Sequence, residues 1–298
     1  MAVRRSDLYL PANNEHMILK SPTLGADVIT LDLEDSVPPA EKAAARELVK
    51  KHIGNIGATG SEAWVRVNAW DTDLTLADLD AVVMEGVDGI TLPKCSGLAD
   101  VRRLDDEITR LEKERGLPVG GIKIAILIET ALGVMEVEKA AGGSSRLVAI
   151  IFGAVDYTRD MKVTRTDAAD EQFYARAKIG VTARAYGLVA EDAPFPNYAD
   201  SEAFEANCRS GAQLGFEGRQ IINPRQIPIA HKVYSPAPER VEWAKTITRV
   251  FEEEGLAKGS ASVGYEGSMI DIPVYRDGLN ILARQKEIEE KEASRKIL

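Results

Sequence analysis

The sequence predicts a (β/α)8 barrel with a C-terminal helical extension, on three observations. Eight short apolar runs recur along the chain, a helix-like stretch follows each, and the repeat occupies about 235 of the 298 residues, the usual size of a TIM barrel. The runs are near-continuous in Val, Ile and Leu, as parallel strands covered by helices on both faces require. An open doubly wound sheet is the rival arrangement, but no GxGxxG turn follows the first run.

The strand candidates are 7–11 (DLYLP), 27–33 (DVITLDL), 63–67 (AWVRV), 89–93 (GITLP), 123–128 (KIAILI), 147–152 (LVAIIF), 188–190 (LVA) and 219–223 (RQIIN). Amphipathic helix candidates lie between them, among them 41–52, 98–115, 130–141 and 170–186. Residues 1–235 thus make a barrel domain. Beyond Tyr234 the texture changes: SPAPER introduces a helix from Glu239, the Gly/Ser-rich stretch 255–267 follows, and MIDIPVYRDG leads into a charged tail. Residues 236–298 carry too little apolar content for a core of their own, so they are expected to pack on the barrel or on a neighbouring subunit.

Composition narrows the function classes. Hydrophobic residues make up 45% and charged residues 28% of the chain, with no run approaching the ~18 apolar residues of a membrane span. The segment MAVRRSDLYLPA enters a strand candidate with no apolar leader region, so no export is expected. Two cysteines, Cys95 and Cys208, stand far apart without CxxC or Cys/His spacing, which points to neither disulfides nor zinc and makes a reducing cytoplasm the simplest location. A formal charge of -10 opposes nucleic-acid binding, so an anionic substrate needs a locally positive site.

In a barrel of this class the active site lies at the C-terminal ends of the strands. The second run ends in Glu34-Asp35, the third carries Arg66 and Asn68, and the fourth ends in Lys94. The fifth ends in Glu129, the sixth leads through Gly153 and Ala154 to Asp156, and the eighth ends in Asn223-Pro224. Four carboxylates on one rim repel unless a cation or several donors neutralise them. Mg²⁺, which takes one or two protein carboxylates plus waters and substrate oxygens, is the economical solution, with Glu129 and Asp156 as its ligands. Each acid alone reads equally well as a helix cap; their occurrence at successive strand ends favours a site. Arg66 sits in an apolar strand and needs a carboxylate partner, either a structural one such as Glu34 or Glu129 or, preferably, a substrate carboxylate held by its planar fork. His16, His52 and His231 close no strand, which leaves a Ser-His-Asp hydrolase unsupported, and Cys95 reads as a packed small residue.

The segments RRSDLYLPANN, ITLDLEDSV, WVRVN, ITLPK, IETALGV, FGAVDY, FYAR, GFEGRQIINPRQI and MIDIPV, in this order, resemble the citrate lyase β-subunit family, within the Mg²⁺-dependent acyl-CoA lyases of the HpcH/HpaI aldolase superfamily. The resemblance implies a homotrimer or a multiple of it, with the C-terminal segment covering a neighbour's active site. It implies Mg²⁺ on Glu129 and Asp156, its water shell supported by Glu34 and Asp35, and the oxo-acid gripped by Arg66 and by backbone N–H groups near Gly153 and Ala154. Lys94 belongs to the same substrate-binding set. Asp271 resembles the family's acid/base residue, supplied from the adjacent subunit. Arg5, Pro11, Asn14 and Lys20 resemble contacts to a coenzyme A carrier, although Ala12 stands where family members often have glycine. The implied reaction is retro-Claisen cleavage of a citryl-, citramalyl- or malyl-type 3-hydroxy-acyl thioester into a 2-oxo acid and an acetyl thioester. A lyase subunit working on citryl-acyl carrier protein beside a transferase, a thioesterase, and a non-catalytic structural or regulatory subunit are the alternatives.

Overall fold

The computed structural model describes residues 2–166 and 168–296. Strands β1 (Ser6–Pro11), β2 (Val28–Asp32), β3 (Glu62–Arg66), β4 (Gly89–Leu92), β5 (Lys123–Ile128), β6 (Leu147–Phe152), β7 (Val189–Asp192) and β8 (Gly218–Ile221) form a closed parallel barrel in sequence order, β8 pairing back onto β1. The helices between them are α1 (Glu15–Lys20), α2 (Lys42–Gly57), α3 (Thr75–Val82), α4 (Leu98–Arg115), α5 (Ala131–Ala141), α6 (Ala154–Asp160), α7 (Phe173–Tyr186) and α8 (Ser201–Gln213), with α9 (Ile227–Val233) after β8. All eight expected strands are present. The second ends at Asp32, two residues earlier than its acidic terminus suggested, because Asp32 turns its carboxylate onto the N–H groups of Glu34 and Ser36 and breaks the strand there (2.9 and 3.1 Å).

Alternation along the strands sorts the interior. Val28, Trp64, Ala125, Leu127, Ala149, Ile151 and Val189 form a cluster at alternate strand positions. Gly89 is required beside Trp64, since a Cβ there would lie 2.5 Å from the indole. The same alternation brings Asp7, Tyr9, Thr30, Asp32, Arg66, Thr91 and Glu191 inward, so this barrel core is partly polar. Burial raises the pKa of both Asp7 and Glu191, while the Thr30 hydroxyl donates to Asp7 at 2.6 Å.

Residues Arg4–His231 make one compact unit; Lys232–Leu298 with Met1–Val3 make a second. The second contains α10 (Pro238–Val250), the antiparallel hairpin β9 (Ser262–Tyr265) and β10 (Ser268–Asp271), and α11 (Ile272–Lys296). Phe251 stacks on Tyr275 at 4.9 Å, and α10 and α11 approach so closely at Gly278 that a Cβ there would lie 2.6 Å from Ile247 Cδ1. Among the described residues no helix is long and apolar enough to cross a membrane.

Candidate functional site

Glu129 directly follows β5 and is 2% exposed. It is not a helix cap: Thr130 caps α5, accepting from the Gly133 N–H at 3.0 Å, which leaves Glu129 free to turn over the barrel mouth. Two neighbours hold it. The backbone N–H of Lys94 donates to Glu129 Oε1 at 2.8 Å from a residue in the left-handed region, φ 50°. On the other side the carboxylate lies against Gly153, where a Cβ would stand 2.5 Å from Glu129 Oε2. Burial, then the charges of Glu34 and Asp156, push the Glu129 carboxyl up to about 8.

Arg66 ends β3 and finds its partner on the adjacent strand, at the register position directly opposite: Nε and Nη2 bond Asp32 at 2.7 and 2.6 Å. Nη1 lies 3.0 Å from Glu34 Oε2. Burial opposes charge on Asp32, yet the Arg66 guanidinium holds its pKa below the usual carboxylate range. Asp32 is the site residue that the sequence reading missed; the available signal was its inward phase with Thr30 on β2. Arg66 has five donors, and donors on Nη1 and Nη2 remain for a ligand. Its guanidinium also rides over the Tyr9 ring at 5.3 Å.

Glu34 follows β2 and is buried, whereas Asp35 beside it is exposed. Lys42 Nζ anchors the loop by donating to the carbonyls of Leu33 and Glu34 at 2.7 and 2.9 Å. Lys94 Nζ donates to Glu34 Oε1 at 2.7 Å, but Glu34 Oε2 is buried without an aligned hydrogen bond. Burial raises the pKa of Glu34 despite both cations. Asp156 lies in the first turn of α6, half-buried, and pairs with the exposed Arg159 one turn on.

The rim cations Arg66 and Lys94 are therefore spent on Asp32 and Glu34, while Glu129, next to Asp156, has no ion pair among the described residues. Among the described residues no group of three or more His, Cys, Asp or Glu is placed to hold a metal unaided. Two carboxylates with open positions for water and substrate oxygens are a donor set that fits a hard divalent ion, and a thiolate- or imidazole-binding metal has no ligands here.

Several expected contacts are not what the structure gives. Arg5 precedes β1 and is 1% exposed at the N-terminal end of the barrel, bonded to Asp27 through its backbone N–H and its guanidinium (2.8 and 2.9 Å). A buried, paired side chain at the end opposite the site cannot grip a carrier, so its assignment as a coenzyme A contact is withdrawn. The Gly153 N–H is also committed, to Ile128 O at 3.0 Å, and only Ala154 at the start of α6 is left of that backbone pair. Pro11 ends β1 at the same rim as Glu34; Asn14 caps α1, accepting from Met17 N at 3.1 Å, and Lys20 ends that helix exposed. Ala12 is fully buried, its N–H on Asp32 O at 3.0 Å. Cys95 is buried and its thiol pushed up to about 12 by burial, which suits packing. Asp271 belongs to the C-terminal unit, where it ends β10 and accepts from Val274 N at 3.1 Å, capping α11.

A closed (β/α)8 barrel with buried carboxylates, a paired arginine and a lysine on its C-terminal rim defines a barrel enzyme with its site at the usual end. Residues 5–224 match the family described as HpcH/HpaI aldolase/citrate lyase. The chain is 40% identical to the citrate lyase subunit beta of Leuconostoc mesenteroides subsp. cremoris, over 91% of this chain and 90% of that protein. It is 31% identical to the mitochondrial citramalyl-CoA lyase of Rattus norvegicus, over 97% and 88%. The CitE protein of Mycobacterium tuberculosis, solved with magnesium, acetoacetate and coenzyme A, matches with a TM-score of 0.76 at 28% identity, covering 96% of this chain and 98% of that one. The chain belongs to the HpcH/HpaI aldolase/citrate lyase family and is a lyase.

Proposed function

We propose that the protein is a Mg²⁺-dependent carbon–carbon lyase that cleaves a 3-hydroxy-acyl thioester of the citryl, citramalyl or malyl type into a 2-oxo acid and an acetyl thioester. The observation that carries this reading is the buried Glu129 carboxylate, fixed by Lys94 N–H and Gly153 beside Asp156 with no ion pair among the described residues. Glu129 and Asp156 would hold Mg²⁺, with Glu34 and Asp35 on its water shell. The bound ion supplies Lewis-acid stabilisation of negative charge on substrate oxygens. Magnesium and coenzyme A in the M. tuberculosis relative support this assignment.

In the cleavage direction the hydroxyl proton passes to solvent water, the O–H electron pair forms the oxo group's C=O, the bond between the carbinol carbon and the thioester's α-carbon breaks, and its electron pair becomes the thioester enolate. Arg66, braced by Asp32, orients the carboxylate of the nascent oxo-acid through its remaining donors. Ala154 N–H and Lys94 border the same pocket. Asp271 from a neighbouring copy exchanges a proton with the enolate carbon. Pro11, Asn14 and Lys20 lie along the approach of the carrier. A homotrimer or a multiple of it is the assembly that brings Asp271 into place. The apolar side chains Leu132, Met135, Val155, Phe173, Tyr174 and Val181, each more than half exposed, support self-association through α5–α7.

The test is oxo-acid release from citryl-, citramalyl- and malyl-CoA by metal-depleted protein with and without added Mg²⁺. Turnover that is unchanged by metal depletion, or by Glu129→Gln, sinks the assignment. A second reading, citryl-acyl carrier protein as substrate beside a transferase subunit, is favoured by the higher identity to citrate lyase subunit beta. Activity with citryl-carrier protein and none with free CoA esters selects it.

A further inference from the structure

Residues 93–97 connect β4 to α4, and Lys94 within them has a backbone that its side chain disfavours. Four described non-glycine residues lie in the left-handed region, Lys94, Lys162, Ala169 and Glu266, and Lys94 is the one whose N–H meets a carboxylate. A Cβ crowds the backbone carbonyl in that region, so the conformation persists only where the surroundings impose it. Here they do. The Cys95 N–H ties the turn to β5 through Leu127 O at 3.2 Å, the Ser96 N–H donates to Asp100 Oδ2 at 2.7 Å, and the Ser96 hydroxyl donates to Lys94 O at 3.2 Å. Cys95 O also packs on the start of α5, where a Cβ on Gly133 would lie 2.6 Å from it.

From this fixed turn Lys94 reaches two carboxylates that follow different strands. Its N–H donates to Glu129 Oε1, after β5, at 2.8 Å, and its ammonium donates to Glu34 Oε1, after β2, at 2.7 Å. The two contacts differ in stiffness. A lysine ammonium on a four-carbon stem follows its acceptor, whereas an N–H in a turn held by its neighbours does not. The other Glu129 oxygen stands against Gly153, where a Cβ would lie 2.5 Å from Oε2. The carboxylate is thus set between a fixed donor and a backbone wall, and the donor's place depends on the left-handed φ of 50°.

We propose that Lys94 is a positioning residue of the lyase site, its left-handed backbone clamping Glu129 in the orientation that receives the metal while its ammonium keeps Glu34 on the same rim. This role rests on Glu129 as a Mg²⁺ ligand and holds whichever thioester the rim accepts. The first arm of the test needs no metal. In metal-free protein the Lys94 amide should exchange with solvent about tenfold more slowly in the wild type than in Glu129→Ala, with the Cys95 amide unchanged between the two. The second arm titrates Mg²⁺ calorimetrically into the wild type, Lys94→Asn, Lys94→Gly and Lys94→Val. All three variants lose the ammonium, so its effect cancels among them, but asparagine and glycine accept the left-handed region and the β-branched side chain does not. Lys94→Asn and Lys94→Gly should bind alike, and Lys94→Val about 10 to 100 times more weakly than either. A role in stability alone would lower the melting temperature of Lys94→Val and leave its Mg²⁺ affinity equal to that of the other two. The exchange arm decides the clamp even where Lys94→Val does not fold. Wild-type protein that binds no Mg²⁺ overturns the metal reading and this role with it. Wild-type binding with equal affinities across the three variants, or Lys94 exchange indifferent to Glu129→Ala, overturns the clamp alone.

Discussion

Replacing Gly153 by alanine tests the geometry of the site without removing any functional group. Gly153 has an ordinary negative φ of -106°, so the substitution introduces no backbone strain. What it introduces is one methyl group 2.5 Å from both Cβ and Oε2 of Glu129. Ordinary contact begins near 3.4 Å, so the carboxylate must retreat by about 0.9 Å (3.4 − 2.5). Glu129 is 2% exposed and tied to Lys94 N–H, leaving it little room to do so. Overpacking of this kind costs about 1–3 kcal/mol of stability. A displacement near 1 Å in a catalytic group costs on the order of 10²-fold in rate. Thermal unfolding, Mg²⁺ titration and kcat for oxo-acid release, measured together, are the assay. A folded Gly153→Ala protein with weakened metal affinity and kcat reduced by about two orders of magnitude is expected. Wild-type metal affinity and turnover in a Gly153→Ala protein whose mass confirms the substitution would refute the placement of Glu129 at the centre of the chemistry.

Three further outcomes follow from buried groups. Burial holds Asp7 protonated above its ordinary 3.8, so between that pH and the point where native Asp7 ionises the unfolded chain carries fewer protons and stability falls as pH rises. Asp7→Asn should flatten that slope and raise stability by about 1–2 kcal/mol at pH 8, read from denaturant midpoints; an unchanged slope contradicts it. Arg5→Gln leaves Asp27 buried without its guanidinium and should destabilise by about 3–5 kcal/mol, while KM for the thioester stays at the wild-type value; a KM effect with intact stability would restore Arg5 to the carrier site. Cys95, with its thiol raised to about 12, should resist iodoacetamide at pH 8 in the folded protein and react fully in denaturant.

The fold was legible because the parallel barrel imposes a repetitive, local pattern: runs such as KIAILI and LVAIIF are buried on both faces, and each became a strand with the expected ends. The rim acids were legible for the same reason, as polar residues stopping an apolar run. Asp32 was not, because it lies inside its run, and the run's reading as uniformly apolar concealed an inward carboxylate whose partner is one strand away at Arg66. Arg5 was misplaced by a different route. It stands before the first strand, where the rule that the chemistry lies at the strands' C-terminal ends already puts it at the opposite end of the barrel, but its place next to a recognisable motif outweighed that rule.

The arrangement of charge on the rim makes one more quantity accessible. Arg66 answers Asp32 and Lys94 answers Glu34, which leaves Glu129 raised to about 8 by burial and by its acidic neighbours. Metal-free protein at pH 7 therefore carries a proton on Glu129 in about nine molecules of ten, and a metal can take that carboxylate only by displacing it. Calorimetry of Mg²⁺ binding at pH 7 in buffers of different ionisation enthalpy should report release of about 0.9 proton per ion, falling towards zero by pH 9 to 9.5 as the free carboxyl ionises. The apparent affinity should rise about tenfold per pH unit below 8 and level off above it. Glu129→Gln removes the proton and the ligand together, so it should abolish both the release and the tight binding. Proton release that persists in Glu129→Gln would move the linked group elsewhere on the rim, and binding at pH 7 with no release at all would mean that the ion does not displace a proton from Glu129.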